Sequence, residues 1–109
     1  MNVKELANEL NLEIISDSGN MNQKVDGAFA GDLLSLAMSS VEKDNVWVTV
    51  QTNLNILAIA SLTEASCVIV ASSMNISDEV IQKAKDEEIC LFRSKDNVYE
   101  LCNKIGDII

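Results

Sequence analysis

Histidine and proline are both absent from this chain of 109 residues, glycine and cysteine are scarce, and basic residues are far outnumbered by acidic ones. Each lack excludes something. Without histidine there is no imidazole base to activate a Ser, Cys or Thr nucleophile, so a catalytic triad is ruled out. With no CxxC pair among Cys67, Cys90 and Cys102, the usual zinc sites are excluded too. The four glycines, Gly19, Gly27, Gly31 and Gly106, form neither GxGxxG nor a Walker-type loop ending in Gly-Lys, so the standard phosphate cradles are missing. Neither a cofactor nor a metal is expected, and the chain does not read as an enzyme.

Eight Lys and Arg against seventeen Asp and Glu leave a net charge of -9. That balance repels nucleic acid and anionic membrane surfaces, so neither is an expected partner. Glu5 and Glu9 stand where a secretion signal would be apolar, and the odd number of cysteines argues against a disulfide framework. A cytoplasmic chain with three reduced, structural thiols in apolar surroundings is the expectation. The segment Asn45 to Thr63 is free of charge and nearly long enough to span a bilayer, but its many Asn, Gln, Thr and Ser side chains oppose insertion.

What is present is an aliphatic core. Hydrophobic residues make up 48% and aromatics only 4%, which suits one globular domain over residues 1–109. Val3, Leu6, Ala7 and Leu10 recur at helical spacing behind Asn2, a capping residue. Leu12 to Ser16 predicts a short strand, Asp17 to Gln23 a turn-rich link, and Lys24 to Ala30 a second extended piece. Gly31 to Ser40 is helical in composition, with Asp32 placed to cap it or to complement its dipole. From Val46 onward the pattern alternates. Strands are predicted at Val46 to Val50, Cys67 to Ala71 and Ile89 to Phe92. Between and after them come helices from Leu54 to Thr63 capped by Asn53, from a Ser77 cap through Glu88, and along the stripe of Val98, Leu101, Cys102 and Ile105. The order β-α-β-α-β-α predicts an α/β fold, a mostly parallel sheet with helices packed on its faces.

Two features exceed what a scaffold requires. Leu33, Leu34, Leu36, Ala37 and Met38 surround one predicted helix. Leu54, Ile56, Leu57, Ala58, Ile59, Ala60 and Leu62 surround the next. A helix apolar all round must be covered all round, and in so small a domain self-association would bury the surplus. The second feature is the strand-to-helix junction after Val50. Asn53 is accounted for by capping and Thr49 by pointing outward, whereas Gln51, Thr52 and Asn55 place uncharged hydrogen-bonding groups at the carboxyl end of a parallel strand, where open α/β sheets bind ligands. With the turn at Gly31 and Asp32 they form a candidate ligand or partner site, against the alternative of a purely structural loop. Gly27 and Gly31 fit special backbone angles or close approach. Asp26 and Asp32 flank the GAFAG segment as a carboxylate pair, but a turn residue and a helix cap explain them better than acid-base or magnesium chemistry.

The stretch Gly27 to Ser72 resembles the DRTGG domain family. The resemblance is carried by Gly31-Asp32-Leu33-Leu34-Ser35, by Trp47-Val48-Thr49-Val50-Gln51, and by Asn55-Ile56-Leu57-Ala58-Ile59-Ala60-Ser61-Leu62. Asn53 stands where that family often has His, Ser73 where Gly is common, and Arg93-Ser94 where a Thr-containing turn is usual; the string DRTGG itself is absent. The resemblance implies a non-catalytic α/β domain, similar to the N-terminal domain of HPr kinase/phosphorylase. In pyrophosphatases with CBS domains such a domain contributes to a dimer interface and to adenine-nucleotide regulation. It also implies a second reading, since free-standing members accompany iron-only hydrogenase and related redox gene sets. There the chain would be a scaffold for a redox-enzyme subunit rather than a homodimeric ligand sensor.

Overall fold

The computed structural model describes residues 1–109. Its organising elements are two strands with no exposed face, β3 (Asn45–Thr49) and β4 (Cys67–Val70), in which every residue is buried. Runs of Val, Ile, Trp and Cys cannot leave either face of a sheet in water, so both faces must be covered. Around them lie β1 (Glu13–Asp17), β2 (Gly27–Ala30) and β5 (Cys90–Arg93), giving a five-stranded sheet in the order β1-β5-β4-β3-β2. Strands β2 to β5 are parallel, and β1 pairs antiparallel with β5 at the edge. The expected α/β class and mostly parallel sheet are therefore observed.

The strand order decides where the helices go. Strands β2, β3, β4 and β5 are added in one direction without reversal, and right-handed crossovers of that kind deliver their helices to one face. Accordingly α2 (Leu34–Ser40), α3 (Asn55–Thr63) and α4 (Asp78–Asp86) share a core with Trp47, Val68, Val70 and Leu91. The opposite face is closed by α1 (Val3–Glu9) and α5 (Val98–Ile108), which pack Val3, Leu6, Leu101 and Ile105 over Val46, Val48, Ile69 and Phe92. The result is three layers, with helices on both sides of the sheet. No helix is long and apolar enough to cross a membrane.

Local signals are obeyed where they are local. Asn2 accepts from the Glu5 N–H at 2.9 Å while the Glu5 carboxylate accepts from the Asn2 N–H at 3.1 Å, a reciprocal cap of α1. Ser77 caps α4 through the Val80 N–H at 3.2 Å, and Asn97 caps α5. Asn53 falls one residue short of its expected place, since Leu54 holds the cap position of α3, but its side chain still accepts from the Asn55 N–H at 2.8 Å. Of the expected extended piece from Lys24 only Gly27–Ala30 is strand, apart from an isolated bridge between Asn2 and Lys24. Neither Gly27 nor Gly31 takes a left-handed angle. Close approach is the constraint at Gly27, where an added Cβ would meet the Asn45 side-chain amide at 2.8 Å.

Three sequence expectations are corrected. Asp32 does not cap α2: the residue at the cap position is Leu33 and no side chain caps that helix. Thr49 does not point outward but is fully buried. Cys102 is exposed, because one position after Leu101 the helix turns off its buried stripe. The apolar surplus is likewise distributed unevenly. Helix α3 buries Ile56, Leu57, Ile59 and Ala60, whereas Leu33, Leu36 and Met38 around α2 and Leu62 on α3 remain exposed.

Burial raises the Cys67 thiol far above its ordinary pKa and pushes that of Cys90 up to about 11, so neither supplies thiolate at neutral pH. Labelling of native protein with a thiol reagent is expected to modify Cys102 alone, with Cys67 and Cys90 reacting only after denaturant is added. Mass spectrometry of the labelled peptides checks the assignment; rapid native modification of Cys67 or Cys90 would contradict the packing described.

Candidate functional site

The carboxyl edge of the sheet carries two polar assemblies of different kinds. The first is the junction expected from sequence, at the ends of β2 and β3. Parallel pairing of these strands brings the Gly31-Asp32 turn beside Thr49-Val50-Gln51. One Asp32 carboxylate oxygen accepts from the Thr49 hydroxyl at 2.9 Å and from the Val50 N–H at 2.8 Å, while the Trp47 indole donates to the Gly31 carbonyl at 2.9 Å. Gln51 turns back on its own loop, its side-chain oxygen accepting from the N–H groups of Thr52 at 3.1 Å and Asn53 at 3.0 Å. The structure thus gathers Gly31, Asp32 and Gln51 around the end of β3, but much of their hydrogen-bonding capacity is spent on Trp47, Thr49, Val50, Thr52 and Asn53. Thr52 and Asn55 keep side chains free of such bonds, with Asn55 exposed. Asp26 lies apart from Asp32 and pairs with Lys24 at 3.5 Å, so the two carboxylates do not form an acid-base pair.

The second assembly was not anticipated from sequence. Beyond β4 the chain leaves towards α4 on one face, and beyond β5 it leaves towards α5 on the other. Neighbouring parallel strands whose following loops diverge to opposite faces open a crevice between their carboxyl ends. A cleft of ≈ 420 Å³ lies there, bounded by Ser73 after β4, by Arg93, Ser94, Lys95 and Asp96 at and after β5, by Glu13 at the start of β1, and by Lys104 of α5. Only one of its nine lining residues is hydrophobic.

The walls of this cleft are fixed by hydrogen bonds. Ser72 and Ser73 adopt consecutive left-handed angles, φ 61 and 52, directly after a strand, a conformation that costs a non-glycine residue energy. Their N–H groups donate to the Asp96 carbonyl at 2.8 Å and the Ser94 carbonyl at 2.9 Å, lacing the two loops together. Arg93 makes a two-pronged pair with Glu13, at 3.0 and 2.7 Å, across the β1–β5 pairing. Lys104 reaches Asp96 at 2.6 Å. The Arg93 bond holds the Glu13 carboxyl below its usual pKa, and the bond to Asp96 holds Lys104 above its own. Both groups stay charged across the neutral range. Lys95 is exposed and makes no ion pair.

Chemically the cleft offers cations, carboxylates and hydroxyls on loops laced together by backbone hydrogen bonds. Nothing in the fold gathers three or more Cys, Asp or Glu side chains in an arrangement that could hold a metal ion.

No family model matches the chain, and no curated protein matches it in sequence. In structure it is similar to the CBS and DRTGG domains of the regulatory region of Clostridium perfringens pyrophosphatase, crystallised in complex with the activator diadenosine tetraphosphate. The TM-score is 0.77 at 13% identity, over 95% of this chain and 45% of that one. The present chain therefore spans less than half of that regulatory region. The likeness establishes a shared fold.

The junction at Asp32 predicts an energetic signature. Thr49→Val removes the hydroxyl that Asp32 accepts from, and Asp32→Ala removes the acceptor, so the two changes act on one bond. In a double-mutant cycle followed by urea unfolding they are expected to couple by about 1 kcal/mol. Simple additivity would mean that the bond contributes nothing to the fold.

Proposed function

We propose that this chain is a non-catalytic regulatory domain of the DRTGG type, which senses a small ligand as a homodimer in the cytoplasm, with adenine nucleotides as the first candidates. The observation that carries the reading is the open, polar crevice between the carboxyl ends of β4 and β5, placed where α/β sheets bind ligands. The three motifs from Gly31 to Leu62 support the family, and the fold shared with a nucleotide-bound regulatory region supports the class of function.

The dimer is supported by the outer surface of α2 and α3. These helices pack on each other, and their exposed side includes Leu33 at 66%, Leu36 at 51% and Leu62 at 70%. No charged residue occurs from Leu33 to Val41 or from Asn45 to Thr63. Two copies of a chain carrying -9 repel nearly everywhere else, so a charge-free apolar surface is where a second copy can dock. Gly31, Asp32, Gln51, Thr52 and Asn55 adjoin Leu33 and Leu54 in the chain, and they serve this reading as a polar rim where ligand or partner is contacted.

Thermal denaturation in the presence of AMP, ATP and dinucleoside polyphosphates, with light scattering at several dilutions, tests both parts. A rise in Tm with one of these nucleotides is expected by mass action, together with a dimer mass at micromolar concentration that Leu36→Glu with Leu62→Glu converts to monomer. A flat nucleotide series in a protein that stays monomeric would overturn the reading. It would favour the scaffold alternative, with the same exposed leucines docking a redox-enzyme subunit.

A further inference from the structure

The two edges of the sheet differ in electrostatic character. At the amino edge a cleft of ≈ 460 Å³ is lined by Lys43 against Asp44, Glu64, Glu87 and Glu88. At the carboxyl edge the β4/β5 crevice reverses that balance, with Arg93, Lys95 and Lys104 against Glu13 and Asp96. Three of the eight basic residues of an acidic protein thus converge on one concave site. A solvated surface gains nothing from concentrating its few cations, whereas an anion in a cleft gains from each.

The donors there are not exhausted. Lys104 uses one bond on Asp96, and the Arg93 guanidinium uses its bonds on Glu13 and the Met74 carbonyl, which leaves further N–H groups on both side chains. The two carboxylates hold these cations in place so that little ordering is needed when a ligand arrives. Lys95 has no partner at all. Ser73 and Ser94 add hydroxyls on the laced loops, and the volume accommodates a molecule of nucleotide size.

We infer that this crevice is a phosphate-binding site, in which Lys95 and the unspent N–H groups of Arg93 and Lys104 hold the phosphate groups of a small molecule. The inference rests on the ligand-sensing reading above and gives it a location and a ligand class. Recognition is through phosphate, so the rest of the molecule can extend from the open mouth of the cleft.

Calorimetric titration of the full chain with ATP, pyrophosphate and adenosine tests this. ATP and pyrophosphate are expected to bind, adenosine alone to bind far more weakly, and the bound signal to fade as salt is raised. Lys95→Glu is expected to weaken both phosphate probes about tenfold or more, as loss of a charge-assisted bond would. Lys95 has no intramolecular partner, so the fold is retained, and circular dichroism verifies it. Lys85→Glu, the same charge reversal on the exposed face of α4, is expected to leave affinity nearly unchanged. Equal losses in the two variants would reduce the effect to net charge and overturn the site. Undiminished ATP binding by Lys95→Glu, or adenosine binding as well as ATP, would overturn it while leaving a ligand sensor. No heat with either phosphate probe would also overturn it; only if the wider ligand series leaves Tm unmoved does the ligand-sensing reading fall as well.

Discussion

Two strands that are buried on both faces set the terms for the rest of the molecule. Because β3 and β4 are wholly buried, helices are needed above and below the sheet, yet the unidirectional order from β2 to β5 delivers its connecting helices to one side only. The second side has to be closed by elements from outside that run, namely α1 and α5. The chain must therefore change sides after β5, and the crevice opens at that change. Coverage of the core and placement of the cleft are consequences of the same constraint.

The parts of the fold legible in the sequence were those governed by near neighbours. Asn2, Ser77 and Asn53 satisfy backbone groups within three residues, and the unbroken apolar run of β4 announces burial without reference to anything distant. Asp32 was misread as a cap because a carboxylate just ahead of a helix normally serves as one, whereas here its carboxylate bonds the Thr49 hydroxyl and the Val50 N–H at the end of the parallel neighbour strand. The same tertiary contact explains Thr49, whose hydroxyl would be costly to bury without Asp32. Cys102 was grouped with the apolar stripe on spacing alone, and one helical step separates it from that stripe.

The cleft was invisible for a different reason. Its residues come from the chain near Glu13, Ser73, Arg93 and Lys104, and nothing local marks them as neighbours. Only strand order and the helix side of each crossover bring them together, and alternating apolar runs specify neither. The expected junction and the observed cleft share the carboxyl edge, two strands apart. The first is largely occupied with holding its own loop, and the second keeps donors in reserve.

The way the second face is closed also bears on the order in which this protein can fold. The core beneath α1 and α5 joins Val3 and Leu6 to Leu101 and Ile105, which lie far downstream of them in the chain. Strand β1 likewise waits for β5, with Glu13 opposite Arg93. A nascent chain that has completed β2, β3 and β4 with α2 and α3 would hold one face packed and the other without α5, an apolar sheet only partly covered by α1. Contacts of such long sequence separation slow folding and prolong that exposure. Closure of this face, and of the cleft with it, is thus deferred until the segment from Cys90 to Ile105 has emerged.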